Sequence, residues 1–189
     1  MIQLFKPDIQ DAEIAEVAAV LRSGWIGLGP KTAEFEREFA AFIGVPYAVG
    51  VNSATAALHL ALIVAGVGQG DEVIVPSLTF VSTVAAVLYV GATPVFADVQ
   101  PDTLCIDPQD IANKISSRTK AIIPVHYGGH PCDMDDIMAI ANERGITVIE
   151  DAAHACGAIY KGRPIGTLSP LTCFSFHAVK NLTTGEGGM

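Results

Sequence analysis

Residues 120–151 read KAIIPVHYGGHPCDMDDIMAIANERGITVIED. Lys120 to Val125 form a β-rich run, Met134 to Arg144 a helical segment, and Ile146 to Ile149 a second β-rich run. Parallel neighbours need a crossover between them, and a helix is the usual one, so this stretch predicts a strand–helix–strand unit. The same alternation extends upstream through Tyr47–Val51, Thr55–Ala65, Glu72–Val75, Phe80–Val90, Pro94–Ala97 and a helix near Pro108–Ile115. Strands of this kind are buried on both faces, which predicts an α/β protein with a mainly parallel central sheet and helices on both sides. Ahead of it, Ile14, Val17, Ala18 and Leu21 fall at helical spacing before Gly24, and Phe35, Phe39, Phe42 and Ile43 do so before Gly44. Two amphipathic helices are therefore expected, joined by the glycine-rich loop from Gly24 to Pro30. No repeat or linker divides the chain, and one domain is expected.

Half of the 189 residues are apolar and 16% are charged, a balance suited to a large core. The net charge of −9 argues against nucleic acid as a general partner, because a phosphate backbone calls for a basic face. Apolar runs such as Ala56–Val67 fall short of the ~20 residues needed to cross a bilayer, so no membrane segment is expected. Met1 to Pro7 lack the pattern of a secretory leader, which makes a cytoplasmic setting the expectation. Cys105, Cys132, Cys156 and Cys173 are widely spaced without a C-x-x-C and read as buried free thiols rather than a zinc or redox site.

In an open parallel sheet, ligands gather beyond the carboxyl ends of the strands. After Tyr47–Val51 comes Asn52-Ser53-Ala54-Thr55, where Ser53 is a good N-cap and the free amides of the next turn suit an anion. Taken alone, an ordinary capped helix explains that segment as well. No G-x-G-x-x-G or P-loop pattern supports a nucleotide site. Asp151 follows the strand Ile146–Ile149, where it could hold a cationic ring nitrogen or simply cap a helix. Neighbours on a strand face opposite ways, so Glu150 and Asp151 are expected to have separate jobs. His154 could lie beside a flat ligand or be a polar loop residue, and His126 and His130 lack the company of metal ligands. Ser175 and Lys180 follow a last strand; a lysine buried there among small and apolar residues would be a neutral nucleophile.

Six ordered blocks then carry a resemblance. They are Ser23-Gly24-Trp25-Ile26 with Gly29-Pro30; Asn52 to Ala56; Gly70 to Ser77 with Thr79-Phe80; Pro124 to Gly128; Glu150 to Ala155; and Phe174 to His177 leading to Lys180-Asn181 and Gly185 to Gly188. Together they resemble the DegT/DnrJ/StrS-type sugar aminotransferases, a branch of the fold-type I enzymes that use pyridoxal phosphate. The resemblance implies that Lys180 is the Schiff-base lysine and proton carrier, and that Asp151 pairs with the pyridinium nitrogen. It implies that His154 and Phe80 flank the ring, and that Ala54, Thr55 and Ser175 hold the phosphate, with Ser53 in the cofactor site capping the helix. The cofactor would alternate with pyridoxamine phosphate while an amino group passes from glutamate or glutamine to a keto group of a nucleotide-linked sugar, in a homodimer. Ser53-Ala54-Thr55, where many members have Ser-Gly-Thr, together with Glu150 to His154, looks most like the branch acting on UDP-4-keto-arabinose. Sugar dehydratases of the same family carry histidine in place of the lysine, so Lys180 favours transamination. Family members continue beyond the lysine into a small C-terminal domain. The resemblance thus implies N-terminal helices and an active-site loop over 1–45, and over 46–189 a large domain cut short, with the small domain outside the sequence. An inactive fragment or a binding protein is the competing expectation.

Overall fold

The computed structural model describes residues 5–189; Met1 to Leu4, the start of the segment read for a leader, lie outside the described residues. Helices α1 (Asp11–Ser23) and α2 (Pro30–Ile43) open the chain, and α3 (Ala54–Val64) follows. The remainder alternates as β1 (Glu72–Pro76), α4 (Val81–Tyr89), β2 (Thr93–Ala97), α5 (Pro108–Lys114), β3 (Thr119–Ile122), α6 (Met134–Arg144) and β4 (Thr147–Asp151). A hairpin of β5 (Ile159–Tyr160) and β6 (Arg163–Pro164) then precedes β7 (Leu171–Cys173). Strands β2-β1-β3-β4-β7 form one sheet, and every pairing in it is parallel.

Side chains alternate across that sheet and build a core on each face. Val73, Val75, Ala121, Ile123 and Ile149 pack with Leu58 and Leu62 of α3 and with Ala86 and Val87 of α4. The intervening Ile74, Ile122 and Val148 pack the other way, against Phe39 and Ile43 of α2, Ile111 of α5, and Ile137 and Ala141 of α6. Full burial of each such side chain contributes roughly 1.5–3 kcal/mol. The expected helix-covered parallel sheet is present.

Two of the expected strands differ. Tyr47–Val51 is not a strand: only Val51 pairs, in a single antiparallel bridge to Gly188, while Tyr47 stays 85% exposed. The strand expected over Lys120–Val125 ends at Ile122, because Pro124 has no N–H for the ladder, although Val125 resumes a bridge to Asp151. The β5–β6 hairpin turns through Lys161 and Gly162, both with positive φ (47° and 81°), a two-residue turn usually marked by Asn-Gly. Helix α1 has the expected apolar stripe, yet it buries no residue: Ile14, Val17 and Leu21 all face outward. Cys105, Cys132 and Cys173 are buried free thiols as expected, whereas Cys156 is half-buried. Among the described residues no helix is long and apolar enough to cross a membrane.

Candidate active site

Strand β4 delivers Asp151 at its carboxyl end, and the carboxyl group is buried. Its Oδ2 accepts a hydrogen bond from the Thr83 hydroxyl of α4 at 2.8 Å, and its Oδ1 accepts one from the Ala153 amide at 3.2 Å. Removal from water raises the Asp151 pKa above the usual carboxylate value; the Thr83 and Ala153 bonds oppose that rise. The preceding Glu150 points elsewhere. Its Oε2 pairs with Nε2 of His126 at 2.8 Å, and its Oε1 accepts from Ser169 at 2.7 Å and Thr172 at 3.1 Å. The two carboxylates therefore have separate partners, as strand alternation predicts.

The neighbouring strand β7 leads to Ser175 and then to Lys180. Ser175 is buried and its Oγ accepts from the His177 amide. Lys180 is half-buried, with its amide bonded to the His177 carbonyl. Burial lowers its amine below the ordinary lysine value, and the Asp151 charge offsets part of that. His154 is lowered too, by burial first and by the Lys180 charge second, while Asp151 pulls the other way. Lys180, Asp151 and His154 thus lie within one another's electrostatic reach. His154 Nδ1 accepts from the Gly128 amide at 3.3 Å, and its ring meets that of Tyr127 edge-on, with centroids 6.3 Å apart.

On the other flank, Ser53 caps α3, its Oγ accepting from the Ala56 amide at 3.2 Å. The Ala54 and Thr55 amides lie in the first turn, where no carbonyl of the helix can reach them. Ala54 has a negative φ, as only Leu104 and Lys161 among the described non-glycine residues are positive, so its amide keeps the orientation that a glycine there would give. Thr55 donates from its hydroxyl to Ser82 of α4 at 2.8 Å, two residues after Phe80, which caps α4 and stands 71% exposed. Gly188 joins this flank to the previous one: it bridges both Val51 and Ser175. A Cβ on Gly188 would lie 2.6 Å from the Ala54 nitrogen and closer still to the Ser53 carbonyl carbon. Gly188→Ala is therefore expected to lose about 1–3 kcal/mol of stability, as overpacking against backbone does, read as a lower urea midpoint; an unchanged midpoint would refute the close fit.

The structure brings Ser53, Ala54, Thr55, Asp151, His154, Ser175 and Lys180 to one end of the sheet, with Phe80 at its rim. Thr83, Ser82, Gly188 and the His126–Glu150 pair were not singled out as partners from sequence. For Thr83 a signal existed: it shares the buried face of an apolar helix with Ala86 and Val87.

A model of the DegT/DnrJ/EryC1/StrS aminotransferase family matches residues 7–189. The chain belongs to the DegT/DnrJ/EryC1/StrS aminotransferase family. Within this family, the spore coat polysaccharide biosynthesis protein SpsC of Bacillus subtilis is 55% identical over 183 residues, covering 97% of this chain and 47% of SpsC. The putative sugar aminotransferase Spr1654 of Streptococcus pneumoniae, solved in a PLP form, superposes with a TM-score of 0.96 at 46% identity, over 99% of this chain and 52% of its own. DesI, solved in the presence of its TDP-sugar product, superposes with a TM-score of 0.86 at 42% identity, over 96% of this chain and 46% of its own. The chain spans about half the length of these DegT/DnrJ/EryC1/StrS relatives.

Proposed function

We propose that this chain is the cofactor-binding portion of a pyridoxal-phosphate aminotransferase that moves an amino group from glutamate or glutamine to a keto group of a nucleotide-linked sugar. The observation that carries this reading is a buried carboxylate, Asp151 at the end of β4, beside strand β7, whose following loop carries the half-buried amine of Lys180. The PLP form of Spr1654 and the TDP-sugar complex of DesI support the cofactor and the substrate class.

The residues fit the cofactor. Asp151 is a buried carboxyl group to which none of the described cationic side chains is ion-paired, and a protonated ring nitrogen supplies the missing charge. The Ala54 and Thr55 amides at the positive end of α3, with Ser53 and Ser175 nearby, suit a phosphate. When bound, pyridoxal phosphate supplies an aldehyde for an amine and a ring that accepts an electron pair. The chain does the rest. Lys180, whose amine burial lowers below the ordinary lysine value, would hold the cofactor's aldehyde end and would carry a proton to and from the amine-bearing carbon. Asp151 would keep the proton on the ring nitrogen, and His154 and Phe80 would flank the ring.

Residues 46–189 form the cofactor-binding domain in this reading, and 1–45 supply helices and a loop at its border. The outward apolar stripe of α1 supports a homodimer of the full-length protein, since such a face calls for a cover. Free thiols at Cys105, Cys132 and Cys173 support a reducing, cytoplasmic setting. The UDP-4-keto-arabinose expectation rests on Ser53 to Thr55 and Glu150 to His154, none of which this reading assigns to the sugar, so the proposal is made for the class of nucleotide-linked keto-sugars.

The test uses the full-length protein. With pyridoxal phosphate, borohydride reduction followed by peptide mass spectrometry is expected to place the label on Lys180. Incubation with glutamate and a panel of keto-sugar nucleotides is expected to yield an aminated sugar. A label on another residue, or dehydration without amino transfer, would overturn the reading.

A further inference from the structure

Asp151 is held by a group the reaction does not itself require. Thr83 is fully buried on α4, and its hydroxyl donates to Asp151 Oδ2 at 2.8 Å across 68 residues of sequence. Behind it stands Thr79, four residues earlier and just ahead of α4, with its hydroxyl 2.7 Å from that of Thr83. A hydroxyl has one hydrogen. When Thr83 gives that hydrogen to an ionised Asp151, Thr79 must be the donor of the second bond, and the two hydroxyls point in one direction, toward the carboxylate. An apolar side chain would fill this part of the α4 core as well, since the same face carries Ala86 and Val87. A threonine there leaves a polar atom in the core that needs a partner, and Asp151 is that partner.

We propose that Thr83, backed by Thr79, is a positioning residue: its hydroxyl fixes the rotation of the Asp151 carboxyl group and keeps Oδ2 an acceptor, so that the carboxylate meets a cationic ring nitrogen ready-aimed. This rests on the reading of Asp151 as the ring nitrogen's partner. The geometry leaves one free lone pair on each carboxylate oxygen, because Oδ1 is engaged by the Ala153 amide and Oδ2 by Thr83. Without Thr83, the carboxyl group keeps only the Ala153 bond and can turn.

The charge balance has a defined sign. Burial raises Asp151, and the Thr83 bond is the largest influence lowering it. The other titratable groups around it are His126 beyond β3, His154 in the loop after β4, Lys180 after β7, and Cys173 on β7. None of these groups is bonded to the Thr83 hydroxyl, which meets Asp151 and Thr79. Removing its hydroxyl moves Asp151 further up, so the carboxylate takes a proton at higher pH, and the acid limb of the kcat profile moves to higher pH.

The experiment compares full-length holoenzymes of wild type, Thr83→Val, Thr83→Ser, Thr79→Val and Asp151→Asn. It records the visible cofactor spectrum against pH, cofactor retention on dialysis, and kcat with KM for the amino donor. A hydrogen bond to a charged group corresponds to a loss of roughly 10- to 100-fold. Thr83→Val is expected to lower kcat by about that factor with KM little changed, and to shift the spectral transition and the acid limb upward. Thr83→Ser, which keeps the hydroxyl, is expected to restore both, and Thr79→Val to fall between. If Thr83→Val fails to fold, the Ser and Thr79→Val variants decide: a Thr79→Val enzyme with the wild-type spectrum and acid limb overturns the proposal. So does a folded Thr83→Val enzyme with both unchanged, or a Thr83→Ser enzyme as impaired as the valine variant. If Asp151→Asn itself keeps the wild-type spectrum, the reading of Asp151 falls and the proposal with it. If Asp151→Asn changes the spectrum and Thr83→Val does not, only the Thr83 proposal falls.

Discussion

Lys180→Ala is expected to lower turnover of the full-length enzyme by about 10³- to 10⁴-fold while leaving the fold and the bound cofactor in place. In the proposed reading the amine serves as both nucleophile and proton carrier, and His154 does not replace it, since its Nδ1 accepts from the Gly128 amide. Retention follows from where the other contacts come from. Asp151 sits on β4, Ser53 to Thr55 at the start of α3, and Ser175 just after β7, so none depends on the Lys180 side chain for its position. Half-burial also makes the lysine's loss mild for stability, since removing a partly exposed charge leaves no unpaired partner. The check is a set of three measurements on one variant: amino transfer, cofactor retention, and borohydride labelling. Small primary amines added to the variant are expected to restore part of the rate, since they supply the missing base without the tether. Turnover above a tenth of wild type without added amine would show that another group moves the proton.

The second large effect is expected at a pair that takes no part in the chemistry. Glu150 and His126 are both fully buried. The Cys132 amide donates to His126 Nδ1 at 3.1 Å, which leaves Nε2 to donate to Glu150. One carboxylate thereby ties β4 to the segment after β3, to Ser169 ahead of β7 and to Thr172 on it. His126→Ala removes one partner and leaves a buried charge short of a donor, which costs about 3–5 kcal/mol. Replacing both with apolar residues removes the stranded charge as well, so the double variant His126→Leu/Glu150→Leu is expected to lie closer to wild type than His126→Ala does. Urea midpoints of the three proteins check this. A His126→Ala protein within about 1 kcal/mol of wild type would mean that the pair contributes no more than an exposed ion pair.

How much of this was legible in the sequence depended on the range over which each feature is decided. Helices α1 to α6 and strands β1 to β4 are written in local periodicity, and their alternation sufficed for a parallel sheet. Tyr47–Val51 has the composition of a strand, but a strand also needs a neighbour along its length, and only Val51 finds one, at Gly188. The β5–β6 turn was hidden because a lysine, not an asparagine, adopts the left-handed conformation. In the site, Lys180, Asp151 and Ser53 were visible because each follows an apolar run, where a parallel sheet presents its ligands. The partners Thr83 and His126 were not, because they lie 68 and 24 residues from the carboxylates they bond, and sequence spacing says nothing at that distance. Strand alternation did foresee that Glu150 and Asp151 would divide their roles.

The double hydrogen bond between Val51 and Gly188 also bears on how the protein is made. It fastens the turn that begins α3 to a residue synthesised far later, and closing so long a loop carries an entropic cost that grows with the logarithm of its length. The pairings β1–β2 and β3–β4, by contrast, join neighbours in sequence and can form while the chain is still emerging. The two halves of the ligand-binding end are thus expected to meet late in folding, after the helices and central strands have set, and a ribosome stalled before residue 188 would carry a core without a closed site.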